Sequence, residues 1–215
     1  MGDDIKNFFI SLITSFFGVV LALYLERRKM PEIELSVIDS AHADNDYRNS
    51  NPPIGNPQIG RCKFFRIVVT NKKMPKYLGW LIRRNTAENC RAQIVITGID
   101  NTTNFSLDGR WTDTPELPFL RPEDYFQKII NPDPVTIVSG SFEKLDLLAR
   151  YDNENCAYIW NNKSYLNNWR TLDYKLIEGS YSAKITINTQ NGISATKEFK
   201  IFIGHTIEDT FISYC

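Results

Sequence analysis

One block of basic and aromatic residues in this chain is suited to bind an anionic group. Residues 61–91 carry nine lysines and arginines against one acid, Glu88, a net charge of +8. Its centre is KKMPKYLGWLIRR, residues 72–84, called here the basic segment. Lysine and arginine bind phosphates and carboxylates, and aromatic rings stack on bases or lie among lipid headgroups. The candidate binding residues are Lys72, Lys73, Lys76, Tyr77, Trp80, Arg83 and Arg84.

Three interpretations of the basic segment fit the sequence. In the first, Trp80 and its apolar neighbours lie among lipid headgroups, and each cation near an anionic surface contributes about 1 kcal/mol. In the second, the segment binds an anionic partner such as RNA, a nucleotide signal or an acidic protein face, with Trp80 or Tyr77 stacking on a base. In the third, it is an exposed loop whose apolar residues cover one end of a folded core.

Residues that could act as catalytic bases at neutral pH are few. The chain has two histidines, His42 and His205, and no GxSxG, HExxH or P-loop motif. The acids near His42 lack the spacing of a calcium-binding loop, and His205 follows a predicted strand. The four cysteines form no CxxC pair that would suggest zinc. We therefore expect no catalytic residue, no metal site and no cofactor, and we expect that the protein is not an enzyme.

The N-terminus is the first element that would position the basic segment. Residues 7–25, NFFISLITSFFGVVLALYL, carry no charge. As a helix they span roughly 28 Å, about the hydrocarbon thickness of a bilayer. The flanking MGDDIKN and ERRK lack the basic leader and small-residue cleavage site of a signal peptide. We expect residues 1–30 to form a transmembrane anchor.

The charges around this run predict its orientation. Arg27, Arg28 and Lys29 follow it, whereas Lys6 alone precedes it. The positive-inside rule then places the N-terminus outside the cell (inner or plasma) membrane and the following domain in the cytoplasm. Cytoplasmic thiols would be reduced; if the domain were outside instead, Cys62–Cys90 would be the first candidate disulfide.

Small residues lie along one face of the same run. Ser11, Ser15, Gly18 and Ala22 are four, three and four residues apart. They therefore share a helix face, and small faces let helices pack closely in lipid. This pattern predicts self-association through the membrane helix. Such residues are also common in membrane helices, and a chance alignment is an equal alternative.

Residues 31–215 alternate apolar and polar residues in the manner of strands. Strands are predicted at residues 31–39, 62–71 and 89–98, with two more around the Ser139-Gly140 turn. The clearest pattern is a pair of alternating runs joined by Asn191-Gly192, a strong hairpin signal. We predict an all-β domain, a two-sheet antiparallel sandwich. The expected inward-facing residues are Ile33, Leu35, Val37, Phe65, Ile67, Val69, Cys90, Ala92, Ile94, Ile96, Tyr181, Ala183, Ile185, Ile187, Ile193, Ala195, Phe199, Ile201 and Ile203.

Several of these stretches resemble a known group of proteins. FFRIVVTNKK, TAENCRAQIVITG, a Trp-containing loop and VTIVSGSFEKLDLL resemble a recurrent group of prokaryotic membrane-anchored proteins, mostly uncharacterised. The run EGSYSAKITINTQNG…ATKEFKI is similar to the last hairpin of many immunoglobulin-like sandwiches, with Tyr181 placed like a corner tyrosine. The resemblance implies an immunoglobulin-like sandwich behind one N-terminal transmembrane helix, and it implies no catalytic residues.

Two functions from different classes follow. The first is a non-enzymatic, single-pass membrane protein that presents a cytoplasmic β-sandwich as a binding or scaffold module for an unknown protein or anionic ligand. In this case a homo-oligomer could form through the helix. The alternative is a membrane-associated sensor or effector whose soluble domain binds an anionic ligand such as a nucleotide signal and which oligomerises through its anchor.

Overall fold

The computed structural model of the protein describes residues 2–38, 44–45, 62–99, 103–114, 127, 131–152, 154–165 and 170–215. The chain begins with a long helix, α1 (Gly2–Lys29). The strands in the described residues are β1 (Ile33–Val37), β2 (Asp44–Asn45), β3 (Cys62–Asn71), β4 (Ala87–Gly98), β5 (Asn104–Asp108), β6 (Arg110–Trp111), β7 (Val135–Ile137), β8 (Phe142–Tyr151), β9 (Cys156–Ile159), β10 (Lys175–Ile177), β11 (Gly179–Asn188), β12 (Ser194–Ile203) and β13 (Phe211–Tyr214). The short helices whose bounds lie within the described residues are α2 (Lys76–Gly79), α3 (Asn162–Tyr165) and a 3₁₀ turn (Leu172–Tyr174).

The strands form two antiparallel sheets. The first has the order β1-β3-β8-β9-β10, with β2 added beside β3 and β6 beside β8. The second has the order β13-β12-β11-β4-β5, with β7 beside β4. Every strand pair in the described residues is antiparallel. The predicted fold class, a two-sheet β-sandwich behind one N-terminal helix, is confirmed.

The main core lies between the sheets and consists of the residues that alternation predicts. Because successive strand side chains point to opposite faces, a two-residue period buries one face of each strand. The predicted residues in this buried cluster are Leu35, Phe65, Ile67, Val69, Cys90, Ala92, Ile94, Ile96, Tyr181, Ala183, Ile185, Ile187, Phe199, Ile201 and Ile203. Ile33, Val37 and Ala195 pack against it half-buried, and Ile193 is also half-buried.

The predicted hairpin is present between β11 and β12. The two strands pair from Gly179↔Ile203 to Asn188↔Ser194. Thr189 N donates to Ile193 O at 2.9 Å, and Gly192 N donates to Thr189 O at 3.1 Å. The loop therefore has three residues, and Gly192, at φ +76°, adopts the left-handed conformation that such a loop requires.

Two other predicted features of the strands are informative. The hydroxyl of Tyr181 donates to Ile177 O at 2.9 Å, which is the bond of a corner tyrosine. The Ser139-Gly140 turn lies between β7 and β8, as predicted. These two strands belong to different sheets, so the turn carries the chain from one sheet to the other.

A second buried cluster lies apart from the main core. Its members are Cys62, Phe64, Ala149, Tyr151, Cys156, Tyr158 and Trp160. On β3, Cys62 and Phe64 alternate with the core residue Phe65, which places this cluster on the opposite face of the first sheet. Cys62 is thus separated from Cys90, which lies in the main core. All four cysteines are free thiols, and the candidate Cys62–Cys90 pairing is wrong.

Helix α1 has the length and composition of a membrane span. Its segment Ile5–Lys29 is long and apolar enough to cross a bilayer, and the apolar part of it is not buried within the molecule. Ser11, Ser15, Gly18 and Ala22 are all exposed. Self-association through this face stays a prediction.

Candidate functional site

The basic segment connects β3 to β4, and a buried asparagine fixes both of its ends. Asn71, the last residue of β3, is fully buried. Its Nδ2 donates to Asn85 O at 3.0 Å and to Ile137 O at 3.0 Å, and its Oδ1 accepts from Glu32 N at 3.3 Å. This one amide joins the start of β1, the end of the segment and the end of β7.

The residue that follows the basic segment, Asn85, is hydrogen-bonded to the last residue of α1. Asn85 N donates to Lys29 O at 2.6 Å. Next to it, Nη1 of Arg84 donates to Met30 O at 3.1 Å. The segment therefore lies at the end of the sandwich from which the apolar helix departs.

Within the segment, a single helical turn presents aromatic rings to the outside. Leu78 N and Gly79 N donate to Pro75 O, at 2.9 and 2.8 Å, which closes α2. Nε1 of Trp80 donates to Tyr77 O at 2.9 Å, so the polar atom of the indole is satisfied within the turn. The exposed fractions are 66% for Tyr77, 81% for Trp80 and 53% for Leu81.

The structure divides the cations of the segment into two groups. Lys72 lies 3.2 Å from Glu34, and Arg84 lies 2.8 Å from Glu32 with its side chain buried. These two cations attach the segment to β1 and to the residue that precedes it. In the other group, Lys73, Lys76 and Arg83 are exposed and form no ion pair with any described residue.

Five of the seven candidate residues are thus exposed side chains of this one segment. Together with Leu81 we call them the exposed patch: Lys73, Lys76, Tyr77, Trp80, Leu81 and Arg83. Leu81 was not among the candidate residues, whereas Lys72 and Arg84 were candidates and are engaged elsewhere. Ile82, just beyond the patch, is buried and holds the segment against the domain. The patch combines apolar rings with unpaired positive charge.

A buried charge cluster lies away from this end, and the sequence did not reveal it. Asp146 is fully buried and accepts hydrogen bonds from Nε of Arg66 at 3.0 Å and from the hydroxyl of Thr112 at 2.7 Å. Nη1 of Arg110 lies 3.7 Å from its other oxygen. Burial raises the pKa of Asp146, and the Thr112 hydroxyl and the two guanidinium groups oppose that rise. The cluster links β3, β6 and β8, which makes it a structural element of the first sheet.

The histidines do not form a catalytic arrangement in the described residues. His205 is exposed, and its Nδ1 lies 3.6 Å from the exposed Glu178. His42 lies outside the described residues. Within the described part of the chain, no group of three or more His, Cys, Asp or Glu side chains is placed to hold a metal ion. The absence of enzymatic activity stays an expectation.

No protein-family model matches the chain, and no curated protein matches it. The function must therefore be inferred from the geometry where α1 meets the sandwich.

Proposed function

We propose that this protein is a non-enzymatic, single-pass membrane protein that presents its β-sandwich at the cytoplasmic membrane surface as a binding or scaffold module. It would belong with prokaryotic proteins that carry an immunoglobulin-like domain behind one transmembrane helix. In this proposal α1 is the anchor. Arg27, Arg28 and Lys29 orient it by the positive-inside rule. The exposed patch rests on the lipid headgroups.

The observation that carries the proposal is the hydrogen bond between Asn85 and the last residue of α1. Lys29 is four residues beyond Leu25, the end of the uncharged run, or about 6 Å at the helical rise. With α1 as the anchor, a backbone bond of 2.6 Å at that point supports a position of the basic segment beside the membrane boundary. Trp and Tyr concentrate at this depth, and cations are attracted to anionic headgroups there.

Exposure separates this proposal from the interpretation in which the segment covers the core. A covering role requires buried rings, but Trp80 is 81% exposed and Tyr77 66%. Only Ile82 of the apolar residues near Trp80 is buried. Large exposed apolar groups with a cationic rim are typical of an interaction surface.

The nucleotide-sensing alternative uses the same residues in another way. Exposed rings and unpaired lysines also suit a base and its phosphates. The contact with α1 supports the membrane function, because an anchored α1 would bring the exposed patch close to a lipid surface. A soluble anion would have to enter between the domain and the bilayer.

The proposal is tested by measuring whether Trp80 meets lipid. The full chain is placed in anionic vesicles with and without brominated lipid, and tryptophan fluorescence is recorded. We expect bromine to quench the wild type and Trp160→Phe, which removes a buried indole, and to quench Trp80→Phe much less. Equal quenching in wild type and Trp80→Phe would contradict the proposal. A response of Trp80 to added nucleotides without lipid quenching would favour the sensor function.

A further inference from the structure

An open pocket of about 440 Å³ lies where α1 meets the sandwich. The helix contributes Tyr24, Arg27 and Arg28, and the domain contributes Glu32 and Arg84, with the connecting residues between them. The pocket adjoins the exposed patch, because Tyr77 lies near Arg28, but none of the patch residues lines it.

The charges in this pocket are unbalanced. Three arginines and one glutamate give it a net charge of two positive. Glu32 is already paired with Arg84, at 2.8 Å. Arg27 and Arg28, by contrast, are exposed and pair with no carboxylate in the described part of the chain. The excess positive charge therefore lies on the helix side of the pocket.

Arg28 is held in position before any ligand arrives. Its Nε donates to the hydroxyl of Tyr24 at 3.1 Å, and its guanidinium carbon lies 5.1 Å from the centre of the Tyr24 ring. This contact uses Nε and leaves both terminal nitrogens available. A guanidinium fixed in this way can present two parallel N–H groups, the geometry that binds phosphate oxygens.

The depth of the pocket matches that of lipid phosphates. Arg27 and Arg28 lie two and three residues beyond Leu25, or about 3 to 5 Å along the helix. The headgroup layer extends roughly 5 to 8 Å beyond the hydrocarbon on each side of a bilayer. A lipid beside α1 thus places its phosphate at the level of these two side chains.

We propose that this pocket binds the phosphate of an anionic membrane lipid, with Arg27 and Arg28 donating to the phosphate oxygens. Glu32, on the opposite side, accepts a hydrogen bond from a hydroxylated headgroup such as glycerol. The bound lipid fills the space between α1 and the sandwich and fixes the angle of the domain to the membrane. The inference depends on the proposed function in requiring α1 to be a membrane span.

The experiment is native mass spectrometry of the full chain extracted from vesicles of equal parts phosphatidylglycerol and phosphatidylcholine. We expect the wild type to retain phosphatidylglycerol with about a tenfold preference, as two cations near the headgroups allow. The double variant Arg27→Gln/Arg28→Gln should lose that preference. The matched control Lys184→Gln/Lys200→Gln removes the same charge from the exposed side of β11 and β12, where neither residue belongs to the pocket or to the exposed patch, and should keep the preference.

Three outcomes would overturn the inference. An unchanged preference in Arg27→Gln/Arg28→Gln would show that the pocket binds no lipid. Equal loss in both double variants, with wild-type β-sheet circular dichroism, would show diffuse attraction. Full displacement of the lipid by millimolar glycerol phosphate would show that the pocket recognises soluble phosphate. Retention of phosphatidylglycerol and quenching of Trp80 are independent measurements. A failure of the lipid site can therefore be distinguished from a failure of the exposed patch to meet the membrane.

Discussion

Single polar side chains join parts of this molecule that lie far apart in the sequence. Asn71 bonds to Asn85 and to Ile137, which is 66 residues away. Arg150 donates to the carbonyls of Gly204 and His205 and so ties β8 to the loop before β13. Such residues carry much of the specificity of the fold, because each leaves several buried groups unsatisfied when it is removed.

Replacing Asn71 is the sharpest test at this scale. Asn71→Ala leaves the carbonyls of Asn85 and Ile137 without their donor, and we expect a loss of about 1–3 kcal/mol in the free energy of unfolding. This free energy is measured by urea unfolding of the full chain in detergent, monitored by circular dichroism. The control is Asn85→Ala, since that side chain is exposed and its residue is bonded through backbone atoms. Equal stability of the two variants would contradict the assigned role.

At the scale of elements, the sequence predicts features set by neighbouring residues, such as the buried face of a long strand. It does not predict very short strands or ion pairs between residues that are far apart in the chain. Alternation identifies the inward faces of β3, β4, β11 and β12, because burial of one face leaves a two-residue period in the chain itself. The two-residue strands β2 and β6 leave no such period. The pairing of Lys72 and Arg84 with β1 depends on a sheet register, so the sequence could not divide the basic segment into bound and exposed cations.

Alanine substitutions at two glycines distinguish the stability cost of an unfavourable backbone conformation from that of a steric clash. Gly192 has φ +76°, and no atom lies within 4 Å of an added Cβ. Gly192→Ala should therefore lower the free energy of unfolding by about 1–2 kcal/mol, the cost of placing alanine in the left-handed conformation. A Cβ on Gly204 would lie 2.9 Å from backbone atoms of Asp209, in a loop closed by the bond from Gly204 N to the Thr210 hydroxyl. We expect Gly204→Ala to be the more destabilising. Gly79→Ala, whose Cβ has room and whose φ is not positive, is the neutral control.

The denaturation midpoints of these three variants measure their relative stabilities. The expected order of stability is Gly79→Ala, then Gly192→Ala, then Gly204→Ala. If Gly192→Ala were as stable as Gly79→Ala, the three-residue loop would be wrong. If Gly204→Ala were as stable as Gly192→Ala, the close approach of Asp209 to Gly204 would be wrong.

For the whole molecule, burial leaves one reactive thiol that can report orientation. Cys62, Cys90 and Cys156 are buried, whereas Cys215 is exposed. Burial raises the pKa of Cys62 to about 12 and that of Cys90 to about 11. The reactive species is the thiolate, so these groups stay unreactive at neutral pH in the folded protein. A maleimide should therefore label Cys215 alone among the four.

This selectivity makes the cytoplasmic placement testable in cells. With an impermeant maleimide we expect Cys215 to be labelled only after lysis, because the positive charges after α1 predict a cytoplasmic domain by the positive-inside rule. Cys215→Ser should abolish labelling in lysed cells. Lys6→Cys in that background places a thiol before the span and should be labelled in intact cells. The reverse pattern would place the sandwich outside. The bilayer would then present its other leaflet to the exposed patch, and the domain would meet partners outside the cytoplasm.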